Sequence, residues 1–374
     1  SMLQNKIYHN FLREILKTFL LILFGLAVIA LTVRAVSFLD LIVENGYPVV
    51  IYFKYSILNL FGILPKFIPL AFLLALTIFI HKHKQDGEFV ILWTSGVKKI
   101  HVVNLFFITS IITVLLYILF STFLTPLALN KSRLSLSDDN LNSFLPTIRS
   151  QQFSDSFKGF TFIVEKKIND EIKHIFLHDD GNNLKNLSSN ISKTSSTTIV
   201  AEMGKVDERK LFLINGQIIS TKKNSNENEI IKFDQLNIDL GGLSTTTIKK
   251  PKIQETSTIK LMKCILPSRA GVELCNKSFI EEVIPALNRR MILPFYIPVI
   301  SLICSMLLIK SNRKYFQKFS IFFYSFLLVV FTELALRYTG INSIVKVFYL
   351  IAPVILAIFF YFFLKFNFSK ESKI

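Results

Sequence analysis

The chain has 374 residues, of which 51% are hydrophobic and 37 are phenylalanine, and its mean hydropathy is +0.47. So high an apolar fraction excludes an ordinary soluble globular protein and favours a polytopic membrane protein. The formal charge of +17 would also suit a nucleic-acid binder, but much of the basic surplus lies in loops beside apolar segments, where it sets topology and meets anionic lipid. We therefore expect no nucleic-acid partner.

Six apolar runs predict six transmembrane spans, at about residues 15–36, 52–80, 102–129, 291–309, 319–336 and 347–364. Pro65 and Pro69 should kink or break the second span, because proline removes a helix hydrogen bond. A short acidic turn is expected at 40–47. No small-residue cleavage site follows the first run, so we expect a span there rather than a signal peptide.

A charged segment, His81–His101, separates the second and third predicted spans and predicts a short helix at a membrane face. Gln85, Asp86 and Glu88 lie at its start, where negative side chains favour a helix N-terminus, and Gly96 is a reasonable stop. The apolar side chains of this helix are Phe89, Ile91, Leu92 and Trp93. Two interpretations stay open, an amphipathic helix lying at the lipid headgroups and a coupling helix that enters a soluble partner.

Between about residues 131 and 260 the apolar pattern changes from a helical period to a period of two. Strands are expected at 159–164, 175–177, 197–201, 211–214, 217–219 and 236–240. Asn215-Gly216 predicts a hairpin between two of them, since a type I′ turn needs positive φ at both central residues. We therefore expect an inserted all-β domain, a sandwich or jelly roll rather than a closed barrel.

The basic residues set the expected topology. The N-terminus, the His81–His101 segment, the 310–318 loop and the C-terminal tail all carry a basic surplus and fall on one side of the six spans. The positive-inside rule makes that side cytoplasmic. Both termini are then cytoplasmic, and the β domain lies in the periplasm of a diderm bacterium.

Residues with catalytic or metal-binding chemistry are scattered. The sequence has no G-x-x-x-x-G-K-[ST] loop, so we expect no nucleotide hydrolysis by that route. His81 with His83 and His174 with His178 have spacings compatible with a metal, but neither pair has a further ligand nearby in sequence. This pattern favours exposed polar histidines.

The cysteines leave two states open. Cys264 and Cys275 both lie on the expected periplasmic side, where a disulfide and two free thiols are equally compatible with the sequence. Cys304 falls in the fourth span and is expected to be a small apolar residue there.

Several segments together have the pattern of a known family. Asp86-Gly-Glu-Phe-Val-Ile-Leu-Trp-Thr-Ser-Gly96 is similar to a D-S-E-x-x-x-L-x-x-x-G coupling helix, with Gly87 in place of serine and Trp93 where small or basic residues are common. Further segments are 199–204 leading to 213–216, Glu282 with 288–294, and 33–40. With these, nearly the whole chain resembles the permease subunits of the lipopolysaccharide-export ABC transporter, and 33–40 is closer to the F subunit than to G.

The resemblance implies a polytopic α-helical membrane protein with six transmembrane helices and an inserted periplasmic all-β, jelly-roll-like domain. The expected domains are 1–130 with helices 1–3 and a coupling helix near 84–97, 131–285 with the β domain, and 286–374 with helices 4–6 and a cytoplasmic tail. It also implies a non-catalytic subunit without a cofactor in the bacterial inner membrane. Its partners would be a second homologous permease, a cytoplasmic ATPase dimer, a periplasmic bridge protein and lipopolysaccharide.

Three sets of site residues follow from the resemblance. Those expected to contact the ATPase are Gln85, Asp86, Glu88, Leu92, Trp93 and Gly96. Those expected to bind lipid phosphates at the outer side are Arg34, Lys66, Lys131, Arg133, Arg289 and Arg290, although each could be an interfacial anchor. Those expected at a gate or cavity are Phe24, Leu31, Phe323 and Phe326, for which plain lipid exposure is the alternative.

Arg337 also ends a span on the outer side, but Glu333 lies one helical turn earlier and predicts a local ion pair. Two other functions stay open at this point. The chain could be a permease for another lipid or a lipoprotein, or a membrane-anchored receptor that does not transport.

Overall fold

The computed structural model describes residues 2–43, 49–139, 150–151, 153–157, 159–168, 171–180, 194–207, 210–222, 228–239, 252–266, 277–310 and 314–371. The chain divides into two compact units. The helical unit comprises Ser1–Val33, Leu58–Asn130 and Lys252–Ile374, and the strand unit comprises Arg34–Ile57 and Lys131–Pro251. The predicted domain limits of 130 and 285 stay a prediction.

The α-helices of the described residues are α1 Met2–Ser37, α2 Asp40–Val43, α3 Val49–Gln85, α4 Glu88–Thr94, α5 Lys99–Leu119, α6 Thr125–Asp139, α7 Thr258–Ile265, α8 Lys277–Met291, α9 Tyr296–Ser305, α10 Lys314–Tyr338 and α11 Ser343–Glu371. A π-helical turn, Phe120–Leu124, joins α5 to α6. Among the described residues, five helices are long and apolar enough to cross a membrane, and a sixth span results if α8 and α9, bent by 41° at their junction, count as one. The six predicted spans thus correspond to five such helices and one bent pair.

Of the kink or break predicted at Pro65 and Pro69, the break is wrong, because α3 continues through both prolines, and the kink stays a prediction. A proline at 65 deprives the carbonyl of Phe61 of its usual donor. The hydroxyl of Thr125, at the start of α6, donates to that carbonyl oxygen at 2.6 Å. A neighbouring helix therefore satisfies the freed group, which allows an apolar helix to keep an internal proline.

The core of the helical unit centres on α9, whose residues Tyr296–Ser305 are all buried. A helix that is apolar on every side has no face to offer solvent, and here it packs against α5, α10 and α11. By contrast, α1, α10 and α11 expose long rows of large apolar side chains. Those outer faces suit lipid or another apolar helix.

Six antiparallel strands form one sheet in sequence order: β1 Ser154–Phe157, β2 Phe160–Ile168, β3 Glu171–Asp179, β4 Thr194–Asp207, β5 Lys210–Lys222 and β6 Asn228–Asp239. They confirm an all-β insertion between the third and fourth spans. The predicted hairpin at Asn215-Gly216 is wrong, because both residues lie inside β5. The chain instead reverses between whole strands, and β3, β4 and β5 are nine, fourteen and thirteen residues long.

A transverse crease explains the misread signal. Within the described strands, ladder pairing is interrupted at one residue of each neighbouring strand, and these residues lie side by side: Glu165, His174, Glu202, Asn215 and Asp234. Buried side chains alternate with period two on both sides of this line but change phase across it, as in Ile172 and Ile175 of β3. His174 and Asn215 both have φ of 51°. The positive φ that asparagine tolerates therefore bends a continuous strand instead of reversing the chain.

Candidate functional site

A pocket of about 250 Å³ lies within the helical unit, between α3, α5, α8, α10 and the segment that precedes α7. Its charged lining residues are Lys66, Glu282, Arg289, Arg290 and Arg337. Four cations and one carboxylate around a single cavity make this a candidate binding site for an anion.

Arg290 is 5% exposed and holds the chain before α7. Its guanidinium donates to the carbonyl oxygen of Thr256 and the hydroxyl of Thr258, both at 2.9 Å, and to the carbonyl oxygens of Ile253 and Gln254 at 3.1 and 3.3 Å. These acceptors occupy both terminal nitrogens of the guanidinium. Arg290 is therefore fixed by protein groups at the wall of the pocket.

Arg289 forms a two-point ion pair with Glu333, at 3.0 Å between Nη1 and Oε1 and 2.9 Å between Nη2 and Oε2. The predicted pairing of Glu333 with Arg337 is therefore wrong. Across the residues that the structure describes, Arg337 makes no ion pair, and it is exposed at the pocket. A planar guanidinium at the rim of a cavity can bind a phosphate through two parallel hydrogen bonds.

The remaining predicted cations divide between the two units. Lys66 is exposed between Pro65 and Pro69 and lines the pocket. Arg34 and Lys131 are exposed and Arg133 is half-buried, all three within the strand unit. The pocket is thus lined by Lys66, Arg289 and Arg290 of the predicted set. It is also lined by Arg337, which we had ranked lower as a phosphate ligand because of the expected pair with Glu333.

At another part of the helical unit, α4 is held with one side inward. Phe89 and Leu92 are buried, and the ring of Trp93 stacks on that of Phe89 with centroids 5.7 Å apart. Val90 and Ile91 are 61% and 67% exposed. As predicted, the helix ends just before Gly96, whose φ is 88°.

The residues before α4 hold it through ionic contacts. His83, in the last turn of α3, is buried, so the expectation of exposed histidines is wrong for this one. Its Nδ1 contacts a carboxylate oxygen of Glu88, and its Nε2 lies 3.0 Å from a carboxylate oxygen of Glu14. Lys82 also contacts Glu14, at 2.8 Å. Glu88 therefore has a partner within its own chain.

The residues after α4 are tied to the end of α11. The ammonium of Lys99 lies 2.5 Å from a carboxylate oxygen of Glu371 and donates to the carbonyl oxygen of Leu308 at 2.9 Å. The other oxygen of Glu371 accepts from the backbone N–H of Lys310 at 2.8 Å. Lys84, before α4, donates to the carbonyl oxygen of Leu307 at 2.7 Å. Both flanks of α4 are thus anchored to the end of the fourth span.

A family described as lipopolysaccharide export system permease LptF/LptG matches residues 10–366. The chain belongs to this family. No curated protein matches it. Membership makes the chain a multi-pass membrane permease of lipopolysaccharide export, as the resemblance implied, without separating the F from the G subunit.

In this LptF/LptG permease the predicted gate residues lie mostly on the outer surface of the helices. Phe24, Phe323 and Phe326 are exposed, and Leu31 is half-buried. Phe323 stacks on Phe319, and Phe326 on Phe322. These faces are open to lipid or to another subunit, so their role stays a prediction.

The structure describes the state of two cysteines and the surroundings of the possible metal ligands. Cys264 is disulfide-bonded and Cys304 is a buried free thiol, while Cys275 lies outside the described residues. Among the residues that the structure describes, no three His, Cys, Asp or Glu side chains are grouped as metal ligands.

Val90 and Ile91 are not among the contact residues expected from the motif, and Arg337 was ranked below the other outer-side cations. Spacing could not have identified Val90, because residues 89–93 are all apolar and any side of the helix could face inward. Arg337 was ranked lower because of Glu333, but that carboxylate pairs with Arg289.

Proposed function

We propose that this permease is a transmembrane subunit of an ABC transporter that extracts lipopolysaccharide from the bacterial inner membrane and passes it to a periplasmic bridge protein. It would pair with a second homologous permease, and a cytoplasmic ATPase dimer would hydrolyse the ATP. Both termini and α4 would face the cytoplasm, and the sheet the periplasm. The observation that carries this proposal is the cationic pocket among apolar helices, in a chain of the export family.

Lipopolysaccharide is a phosphorylated amphiphile, so its site needs cations beside apolar surface. Lys66 and Arg337, both exposed at the pocket, are our candidates for phosphate binding. Arg289 is partly neutralised by Glu333, and Arg290 is committed to backbone carbonyls, so both would shape the pocket. Arg34, Lys131 and Arg133 remain proposed as further phosphate contacts of the outer surface.

Charge reversal tests the pocket. Lys66→Glu and Arg337→Glu should each lower lipopolysaccharide crosslinking and export more than the corresponding neutral variants, because they repel the phosphate as well as removing a contact. Lys260→Glu, which reverses the charge of an exposed lysine of the same unit outside the pocket, is the matched control. If both pocket variants bind and export lipid like the parent, these residues are membrane anchors only.

At the cytoplasmic side, α4 would be the coupling helix. Its outward face, Val90 and Ile91 with the exposed Gln85 and Asp86 beside it, is the surface that an ATPase groove would meet. Leu92 and Trp93 would support that face from behind. Co-purification with lipid mass spectrometry tests the assembly.

The co-purification outcomes separate the candidate functions. A stable complex with an ATPase subunit excludes a receptor that does not transport. A phosphorylated glycolipid in that complex supports lipopolysaccharide export, whereas a lipoprotein there would support the other exporter. Cysteine crosslinks to the second permease from Phe24, Leu31, Phe323 or Phe326 would support the gate, and their absence would favour plain lipid exposure.

A further inference from the structure

His83 joins three elements of the helical unit. Its side chain is 4% exposed and lies between Glu14 of α1 and Glu88 of α4, while His83 itself belongs to α3. Lys82, which is 58% exposed, also contacts Glu14, at 2.8 Å. We call Glu14, His83 and Glu88 the His83 clasp.

The clasp needs an extra proton. Ionised carboxylates only accept hydrogen bonds, and a neutral imidazole carries one N–H. Two carboxylate contacts on two ring nitrogens therefore share one proton more than a neutral imidazole between two ionised carboxylates supplies. The rings of Phe11, Phe79 and Phe89 surround His83, with centroids 5.0, 4.2 and 6.0 Å from that of the imidazole. These rings exclude water from the hydrogen bonds of the imidazole.

A helix as short as α4 cannot set its own orientation, since a seven-residue helix is marginal without tertiary contacts. Its direction depends on the burial of Phe89 and Leu92 and on the clasp at its first residue, Glu88. The clasp continues from α4 to α1 through one imidazole. A displacement of Glu14 therefore acts directly on the start of α4.

We propose that His83 is a positioning residue that couples the N-terminal half of the first span to α4, so that the two elements move together. The coupling itself is argued from contacts within the permease, and only the ATPase contact of α4 rests on the proposed function. In that complex, a change around the first span would reach the ATPase surface through Glu14, His83 and Glu88. Glu88 would then matter by fixing the pose of α4 as well as by any contact with the partner.

Hydrogen exchange on the permease alone tests the clasp without the partner. His83→Phe keeps a ring in the aromatic cluster but removes both bonds, and Glu14→Met removes the bond from α1. Each should raise amide exchange in α4 by about tenfold or more, and the double variant should add little, because both break one link. Lys82→Met, which removes only the solvent-side contact to Glu14, is the matched control. If Glu14→Met leaves exchange in α4 as in the parent, the coupling is overturned.

A second measurement uses the full transporter. The ratio of lipid-stimulated to basal ATP hydrolysis should fall about fivefold or more in His83→Phe and in Glu14→Met, with the double variant no worse than either single variant. Additive losses would indicate two independent structural defects and would overturn the proposal. Absence of lipid stimulation in the parent would count against the proposed function instead, and the exchange experiment would still decide on the clasp.

Discussion

Replacing Arg290 with methionine tests whether this arginine holds the chain before α7 rather than a ligand. Methionine keeps a long apolar side chain but removes all four hydrogen bonds of the guanidinium. Two of the four acceptors belong to Thr256 and Thr258, which are 7% and 5% exposed. The carbonyl of the exposed Gln254 can find water after the substitution.

The expected cost follows from the buried carbonyl of Thr256, since the hydroxyl of Thr258 still donates to the carbonyl oxygen of Thr122 at 3.1 Å. A buried polar group left without a partner costs about 1–3 kcal/mol, so Arg290→Met should lower the free energy of unfolding of the helical unit by about that amount. The apparent melting temperature of the purified permease should fall. Trypsin should cut faster after the exposed Lys260 and Lys263 of α7, because the segment before that helix has lost its anchor.

Arg337→Met is the matched control, since it removes the same charge from the same pocket. Because Arg337 is exposed and has no ion pair among the described residues, its loss should change the free energy of unfolding by about 0.5 kcal/mol or less while weakening binding of phosphorylated lipid. If Arg290→Met unfolds like the parent, or if both variants lose stability equally, the division between a holding and a binding arginine is refuted.

Three further substitutions test other parts of the structure. In Gly216→Ala the new Cβ would lie 2.4 Å from the carbonyl oxygen of Val200, so thermal unfolding should show a loss of about 1–3 kcal/mol or more, whereas Gly25→Ala, with nothing within 4 Å, should not destabilise. Ile91→Glu should weaken ATPase association by about tenfold or more and leave the melting temperature unchanged, because it adds charge to an exposed apolar face. Leu92→Ala should lower the melting temperature and cost about 2–5 kcal/mol of stability, since it empties a buried position.

The spans were predictable because a bilayer demands long uncharged apolar runs, and such runs are visible in any single sequence. Which span forms the centre was not, since α9 and α11 are both strongly apolar and only packing distinguishes them. The continuity of α3 through Pro65 was also out of reach. It depends on the hydroxyl of Thr125, on another helix, and sequence gives no rule that pairs those two positions.

The misread sheet signal has a specific physical cause. Asn215-Gly216 does carry an unusual backbone, with φ of 51° at Asn215, and Gly216 does lack room for a Cβ. A positive φ followed by glycine is typical of a two-residue turn, but it also suits a crease in a long strand. The neighbouring strands distinguish a crease from a turn. Pairing with Asn215 is interrupted at Glu202 of β4 and at Asp234 of β6, so the irregularity crosses all three strands.

In the cationic pocket, sequence spacing likewise failed to predict which charged residues form an ion pair. A carboxylate four residues before an arginine predicts a helical ion pair, as Glu333 does for Arg337. The fold brings Arg289 from α8 to that carboxylate instead, in a two-point geometry that a single-helix pair rarely matches. Arg337, for which the sequence predicted a pair with Glu333, is therefore the arginine left exposed at the pocket.

For α4 the sequence predicted the helix and its end but not its orientation. Five consecutive apolar residues, 89–93, cover more than one turn, so no amphipathic stripe is visible and any side could face inward. The aromatic cluster around His83 sets which side of α4 faces inward, because Phe89 packs against Phe11 and Phe79. The face left outward carries Val90 and Ile91, not the Leu92 and Trp93 expected from the motif. A partner would therefore meet a small apolar face whose pose is set by an ionic clasp behind it, and substitutions in the clasp should alter coupling without touching the contact surface.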